Sequence, residues 1–269
     1  MIISNLTRQR IHDYMKEGKR FDNRGLLDYR ELVVETGVSI NAEGSARVKL
    51  GKTEVIAGIK LGVAEPYTDH EDEGTFITTL ELTPTSSSRF EPGPPRIESI
   101  EMARIIDRGI RESKFIDFKK LCIKEGEKVW GVMLDIFTMN DGGNLLDAAS
   151  IAAVAALMDA RIPKYDEKTG RVCFGEWTKD KLPLNSMPFL MTFHKIGNKV
   201  FLDPVNEEEE ASDSRMSIAI ADGYVSALQK GNSEPIELKE LFEIFEAAEN
   251  KWKEMHKKVE DIINKAIKK

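Results

Sequence analysis

The sequence predicts an α+β fold with mixed β-sheets and packed helices, on three observations. Apolar residues alternate with period two across 29–63, as in half-buried strands. They fall on one helical side in 97–112 and again from Ile236 onward. The order is strands, helix, strands, helix, strands, helix, which suits mixed sheets covered by helices. All 269 residues are expected in a single domain, near the upper size that one core supports.

The first helix is predicted over 7–18: Thr7 can cap it, Ile11, Tyr14 and Met15 share a side, and Gly18 ends it. Val33, Val38 and Ile40, then Ala46, Val48 and Leu50, then Val55, Ala57 and Ile59 make a strand meander. Turns at 41–44 and at Gly51-Lys52 separate its strands. The acidic, aperiodic stretch 65–74 reads as an exposed loop and 76–82 as a strand. Residues 83–95 hold three serines and four prolines, a composition that forbids regular structure.

In the helix 97–112, Met102, Ala103, Ile105, Ile106 and Ile110 form one side. Arg104, Arg108 and Arg111 fall within an arc of about 60° on the other. Two strands follow, 121–123 and 129–138, then the turn Asp141-Gly142-Gly143-Asn144 into a nearly all-apolar, buried helix over 145–160. The stretch 163–188 mixes turn signals with short apolar patches and predicts few elements. Hairpins are expected around Gly197-Asn198 and Asp222-Gly223, and a long C-terminal helix over about 236–268.

Composition narrows the function classes. Lys and Arg number 39 and Asp and Glu 46, a net charge of −7, so the surface is not uniformly built for nucleic acid. No apolar run reaches the roughly 18 residues that cross a bilayer, and the start has no long apolar segment, so a cytoplasmic location is expected. Two cysteines, Cys122 and Cys173, cannot build a disulfide framework or a four-thiolate zinc site and are read as small core residues. The four histidines show no ligand spacing, and no nucleophile elbow, P-loop or dinucleotide fingerprint occurs. No metal or cofactor is expected on this chain.

Three features could carry function. Arg104, Arg108 and Arg111, with Arg89 and Arg96 in the preceding loop, could grip phosphates; a solvated face balanced by Glu101, Asp107 and Glu112 is the plain alternative. The turn 141–144 could offer backbone N–H groups to an anion, or could be a hairpin exit capped by Asn144. The run Glu207 to Glu210, with Asp203 and Asp213 nearby, could hold magnesium or supply an acid, or could be a solvated loop tip.

Arg20-Phe21-Asp22-Asn23-Arg24, Arg30-Glu31, Gly44-Ser45-Ala46-Arg47-Val48 and Gly51-Lys52-Thr53-Glu54-Val55 together resemble the opening of RNase PH-type phosphorolytic exoribonucleases. Asp141-Gly142-Gly143-Asn144-Leu145 and Leu202-Asp203-Pro204 through Glu210 are similar to later landmarks of that family. Within it, the chain most resembles the archaeal exosome subunit that lacks an active site. The resemblance implies the RNase PH-like (ribosomal S5 domain 2-like) fold and a ring of three heterodimers with a catalytic RNase PH-like partner. RNA-binding cap subunits and single-stranded RNA would be the other partners. Phosphorolysis, with inorganic phosphate and a candidate magnesium ion, would take place at the partner's site.

By the same resemblance, active members hold phosphate with Gly-Thr-Arg or Gly-Ser-Arg where this chain reads Gly143-Asn144-Leu145. Leucine cannot neutralise an anion. Of the family's two acids, the first aligns with Glu209 and the second with Arg215; a two-residue slip would bring in Asp213. Asn144, Leu145, Glu209 and Arg215 are therefore expected to be degenerate active-site positions, and no residue of this chain is expected to be catalytic. The arginines Arg89, Arg96, Arg104, Arg108 and Arg111 would hold RNA beside the partner's site. The rival expectations are a self-sufficient exoribonuclease using Glu209 and Asp213, and an RNA-binding module without a ring.

Overall fold

The first helix, α1 (Asn5–Lys16), starts and ends two residues before the expected 7–18 because Ser4, not Thr7, is its cap. The Ser4 hydroxyl accepts from the Thr7 N–H at 3.1 Å, which places Thr7 inside the first turn. At the other end Gly18 adopts φ +71° and its N–H closes onto the Met15 carbonyl. The computed structural model describes residues 3–166 and 169–268.

The meander appears as β1 (Leu32–Thr36), β2 (Gly44–Leu50) and β3 (Thr53–Ala64), followed by β4 (Thr75–Glu81). Val38 and Ile40 do not extend β1. The strand stops at Gly37, whose φ of +67° turns the chain and leaves Ile40 90% exposed. After α2 (Ile97–Glu112) come β5 (Cys122–Lys124) and β6 (Lys128–Asn140). The resulting sheet has the order β1-β2-β3-β6-β4, with β5 beside β6. It is mixed, because β4 runs parallel to β6 while the other pairs are antiparallel. Its inner face buries Val48, Val55, Ala57, Ile59, Val132 and Leu134, as period two requires.

Helix α3 (Leu145–Asp159) is buried on every side and packs on β2 and β3 below. The stretch expected to hold few elements instead forms a hairpin, β7 (Arg161–Asp166) and β8 (Arg171–Lys181). Register shifts on both sides of Pro163 break the alternation that would have revealed it. The expected range 163–188 also covers residues 167 and 168, which lie outside the described residues.

The rest is β9 (Phe189–Ile196), β10 (Lys199–Leu202), α4 (Asn206–Ala211), β11 (Ser214–Ala221), β12 (Tyr224–Gly231) and α5 (Leu238–Ile267), the last inside the expected range. The second sheet has the order β10-β9-β11-β12, all antiparallel. Both α2 and α3 touch strands of the two sheets, so they form a helical layer between them, and α5 lies against β1, β9 and α3. One continuous core takes side chains from both halves of the chain. Cys122 and Cys173 are only half-buried, so neither is the core residue expected. No described helix is long and apolar enough to cross a membrane.

Candidate functional site

The central helix α3 begins where β6 runs out, and the four residues between them form the heart of the site. Gly143 has φ +88°, and a Cβ there would come within 2.6 Å of Pro204 O, so the turn accepts only glycine. Asn144 is left-handed at φ 54° and stands at the N-cap position, but its side chain makes no cap bond. Its Nδ2 instead donates to Asp147 Oδ2 at 3.1 Å and Asp203 Oδ1 at 2.9 Å.

Arg30 fixes the turn from below, donating to the carbonyls of Gly142 at 2.8 Å and Gly143 at 2.9 Å. The same guanidinium grips both oxygens of the buried Asp203, which Arg24 also reaches at 2.9 Å. Burial alone would raise the Asp203 carboxyl, but the hydrogen bond and charge of Arg30 outweigh it and hold it below the ordinary value. A turn clamped this way has little freedom to rearrange around a ligand.

The acidic run is not a solvated tip. It forms α4, and three of its glutamates find distant partners: Glu208 pairs with the buried Arg20, Glu210 accepts from Ile3 N at 3.0 Å and meets Arg89 at 3.4 Å, and Glu209 turns to the α3 turn. Glu209 Oε2 accepts from the Asn144 N–H at 3.0 Å. Desolvation of the half-buried Glu209 raises its carboxyl despite that bond.

A cleft of about 560 Å³ opens between the 83–95 loop, the first half of α2 and this turn. Leu145, Glu209, Arg215, Arg89 and Arg96 all line it, so five of the expected residues share one cleft beside the turn at Asn144. Arg215 donates to Glu101 Oε1 at 2.7 Å, while its buried Nε has no partner among the described residues. Arg89 donates to Asp141 Oδ2 at 2.5 Å, and Arg96 pairs with Glu91. Asp213 does not join them: its carboxylate accepts from Gly197 N at 2.7 Å at the β9–β10 turn, 4.0 Å from His12. Among the described residues, no group of three or more His, Cys, Asp and Glu side chains is placed to hold a metal ion.

The arginine face of α2 divides in two. Arg104 and Arg108 line a second groove, about 480 Å³, against β12 residues Ala227, Leu228 and Gln229. Arg108 makes one exposed contact to Glu112 at 3.5 Å, and Arg104 is exposed. Arg111 is turned toward β4, donating to Phe76 O at 2.9 Å and to Asp107, with its guanidinium 5.6 Å from the Phe76 ring centre. The helical wheel placed these three side chains together, and the neighbouring strand separates them.

Of the residues that hold the site's shape, Asp203 was singled out with the acidic run, whereas Arg20, Arg24 and Arg30 were not picked out by charge pattern. Arg20, Arg24 and Arg30 stand inside the motifs that carried the family resemblance, and that was their only signal.

A mixed six-stranded sheet and an antiparallel four-stranded sheet enclose two helices, with a glycine turn opening the central one. That is an RNase PH-like architecture. The pattern of the 3′ exoribonuclease family matches residues 28–163 as its domain 1 and 186–251 as its domain 2, and the chain belongs to this family. It is 45% identical over 255 residues to the exosome complex component Rrp42 of Methanosarcina acetivorans, covering 94% of this chain and 93% of that one. The Rrp42 component of Pyrococcus furiosus is 43% identical over 268 residues, covering 98% and 96%. Among solved structures, a chain of the Archaeoglobus fulgidus exosome with RNA bound to the active site superposes with a TM-score of 0.87. It is 39% identical, covering 94% of this chain and 98% of that chain. A chain of an archaeal exosome core gives a TM-score of 0.83 at 36% identity, with 95% and 97% covered.

Proposed function

We propose that this chain is a non-catalytic structural and RNA-binding subunit of an archaeal exosome ring, paired with a catalytic RNase PH-like subunit that degrades RNA from the 3′ end by phosphorolysis. The observation that carries the reading is the α3 turn. Its outward amide is taken by Glu209, and the next side chain is Leu145, so the turn itself offers an attacking phosphate neither an open amide nor a cation. Arg215 in the same cleft is a cation that can neither donate as a carboxylic acid nor bind magnesium.

Inorganic phosphate and any magnesium ion then belong to the partner's site, and this chain contributes no cofactor of its own. Arg104 and Arg108, with Arg89 and Arg96 nearer the cleft, supply guanidinium groups for the RNA backbone, which positions a strand without reading its sequence. Cap subunits and RNA complete the partner set, and the assembly works in the cytoplasm. The self-sufficient enzyme is disfavoured because Asp213, its second acid, is engaged at the β9–β10 turn.

Co-expression with a catalytic RNase PH-like subunit, followed by mass determination and a phosphorolysis assay, tests the reading. Activity is expected only when both chains are present, in a particle of three heterodimers. Release of nucleoside diphosphates by this chain alone would sink it.

A further inference from the structure

We propose that Arg215 is a positioning residue for the arginine face of α2. By holding the Glu101 carboxylate on the cleft side of that helix, it keeps Arg104 and Arg108 free to take RNA phosphates. The inference deepens the proposed function and rests on its assignment of Arg104 and Arg108 to the RNA backbone.

Helical spacing alone would neutralise that face. Glu101 stands three residues before Arg104, and side chains at this separation are neighbours on a helix surface, where opposite charges pair. These two do not. Arg215 Nη2 donates to Glu101 Oε1 at 2.7 Å, and Arg104 makes no ion pair among the described residues. Glu101 borders both hollows, the cleft that it shares with Arg215 and the groove that it shares with Arg104 and Arg108. Its carboxylate therefore has two destinations, and the bond to Arg215 selects the first. That bond is the better sheltered, because Arg215 is 15% exposed while Arg104 is exposed to solvent.

The seat of Arg215 is built into the second sheet. Its cross-strand partner is Gly231, at the end of β12. A Cβ on Gly231 would come within 2.7 Å of Arg215 Nε and Nη2. Gly231 is not left-handed, so the space taken by the guanidinium, and not the backbone, is what calls for glycine there. Freed from Arg215, the Glu101 carboxylate would act twice in the groove: it would neutralise Arg104 and repel the phosphates of a passing strand.

The test measures RNA binding by the ring assembled with a catalytic subunit, in the absence of inorganic phosphate. Arg215→Ala is expected to bind about fivefold more weakly in about 0.1 M salt, with a salt slope shallower by about 0.7, as for one lost backbone contact. Adding Glu101→Gln should return affinity to within about twofold of the wild type. Glu101→Gln alone should change it by less than about twofold, because Arg215 already occupies that carboxylate. Three results overturn the proposal: unchanged affinity in Arg215→Ala, a loss that Glu101→Gln does not reverse, or an equal effect of Glu101→Gln in both backgrounds. The second would make Arg215 a direct RNA contact, and the third would reduce the effect to net charge. Arg215→Met, of similar length, replaces Arg215→Ala if the latter fails to fold.

A second measurement uses the isolated chain and needs no RNA. The Arg104 Nε–H resonance, identified by its absence in Arg104→Lys, should shift in Arg215→Ala as Glu101 swings onto it. It should return in the double variant with Glu101→Gln. An Arg104 signal indifferent to Arg215→Ala also overturns the proposal. If replacing Arg104 and Arg108 with alanine leaves RNA binding by the ring intact, the RNA assignment falls, whereas the exchange of partners by Glu101 stands or falls on the isolated chain.

Discussion

Arg20 and Glu208, 188 residues apart in sequence, form a two-pronged ion pair sealed from solvent, with Nε to Oε1 at 3.0 Å and Nη2 to Oε2 at 2.5 Å. Arg20 also donates to the carbonyls of Leu202 and Asp203, so one side chain anchors α4 to the end of β10. Removing one partner of such a pair strands the other charge in a dry site. Arg20→Ala is therefore expected to destabilise the chain by about 3–5 kcal/mol, read as a lower urea midpoint. Arg20→Met with Glu208→Leu should recover part of that loss, because the burial of charge is removed from both sides. A loss below about 1 kcal/mol for Arg20→Ala would show that the pair does not anchor α4.

Gly143→Ala should be nearly as damaging, for a steric reason. The added methyl would meet Pro204 O and Val205 C at 2.6 Å, and both are backbone atoms that cannot swing aside. The left-handed φ of +88° adds strain. A loss of about 2–4 kcal/mol in chemical denaturation is expected. Gly175→Ala, where φ is +82° but nothing lies within 4 Å, serves as the control and should cost only the conformational part, about 1 kcal/mol.

Acid stability should depend on two buried groups that oppose each other. Burial pushes Asp147 up to about 6 from 3.8. Tyr29, Asn144 and Thr192 all donate to its Oδ2, which leaves the buried, unpartnered Oδ1 to carry the proton. Between those pH values the native state keeps a proton that the unfolded chain has lost, so the Asp147 contribution falls as pH rises, by about 3 kcal/mol in all. Burial, with the nearby charges of Arg215 and Arg20, pushes His194 down to about 3 from 6.5. Its contribution runs the other way: the unfolded imidazole takes a proton that the native one refuses, so stability is lost as pH falls below 6.5. Across the shared window the two slopes nearly cancel. Asp147→Asn should leave stability falling by about 1.4 kcal/mol per pH unit on acidification, and His194→Phe should leave the reverse slope. Urea melts at pH 4, 5 and 6 decide it; identical slopes in all three proteins would rule out the opposition.

Periodicity made the strands and long helices legible because it is local: Val48 and Leu50 face the core for the same reason that they alternate with Arg47 and Lys49. It placed α2 to the residue and the two hairpins at Gly197 and Asp222-Gly223. The β7–β8 hairpin escaped it because Pro163 sits between two register shifts. The misreading of Glu207 to Glu210 has a different origin. Adjacent glutamates carry no apolar rhythm, and their partners Arg20, Asn144 and Arg89 are brought to them only by the tertiary fold. For the site, the sequence singled out Leu145, Glu209 and Arg215, which line one cleft, but the bond from the Asn144 N–H to Glu209 could not be read from it.

The proposed function assigns RNA contact and structural work to different arginines of α2. Arg104 and Arg108 stand over the groove beside β12, free to reach a passing strand, whereas Arg111 is spent on Phe76 O and Asp107. Replacing Arg104 and Arg108 with alanine should weaken RNA binding by the assembled ring and flatten its log K against log salt plot by about 0.7 per lost contact, about 1.4 together. Thermal stability of the chain alone should not change. Arg111→Ala should do the opposite, leaving the salt slope intact while costing about 1 kcal/mol of stability, a modest figure because the side chain is 41% exposed. A salt slope that falls for Arg111→Ala and not for the other pair would mean that the strand follows the β4 side of α2 and not the β12 groove.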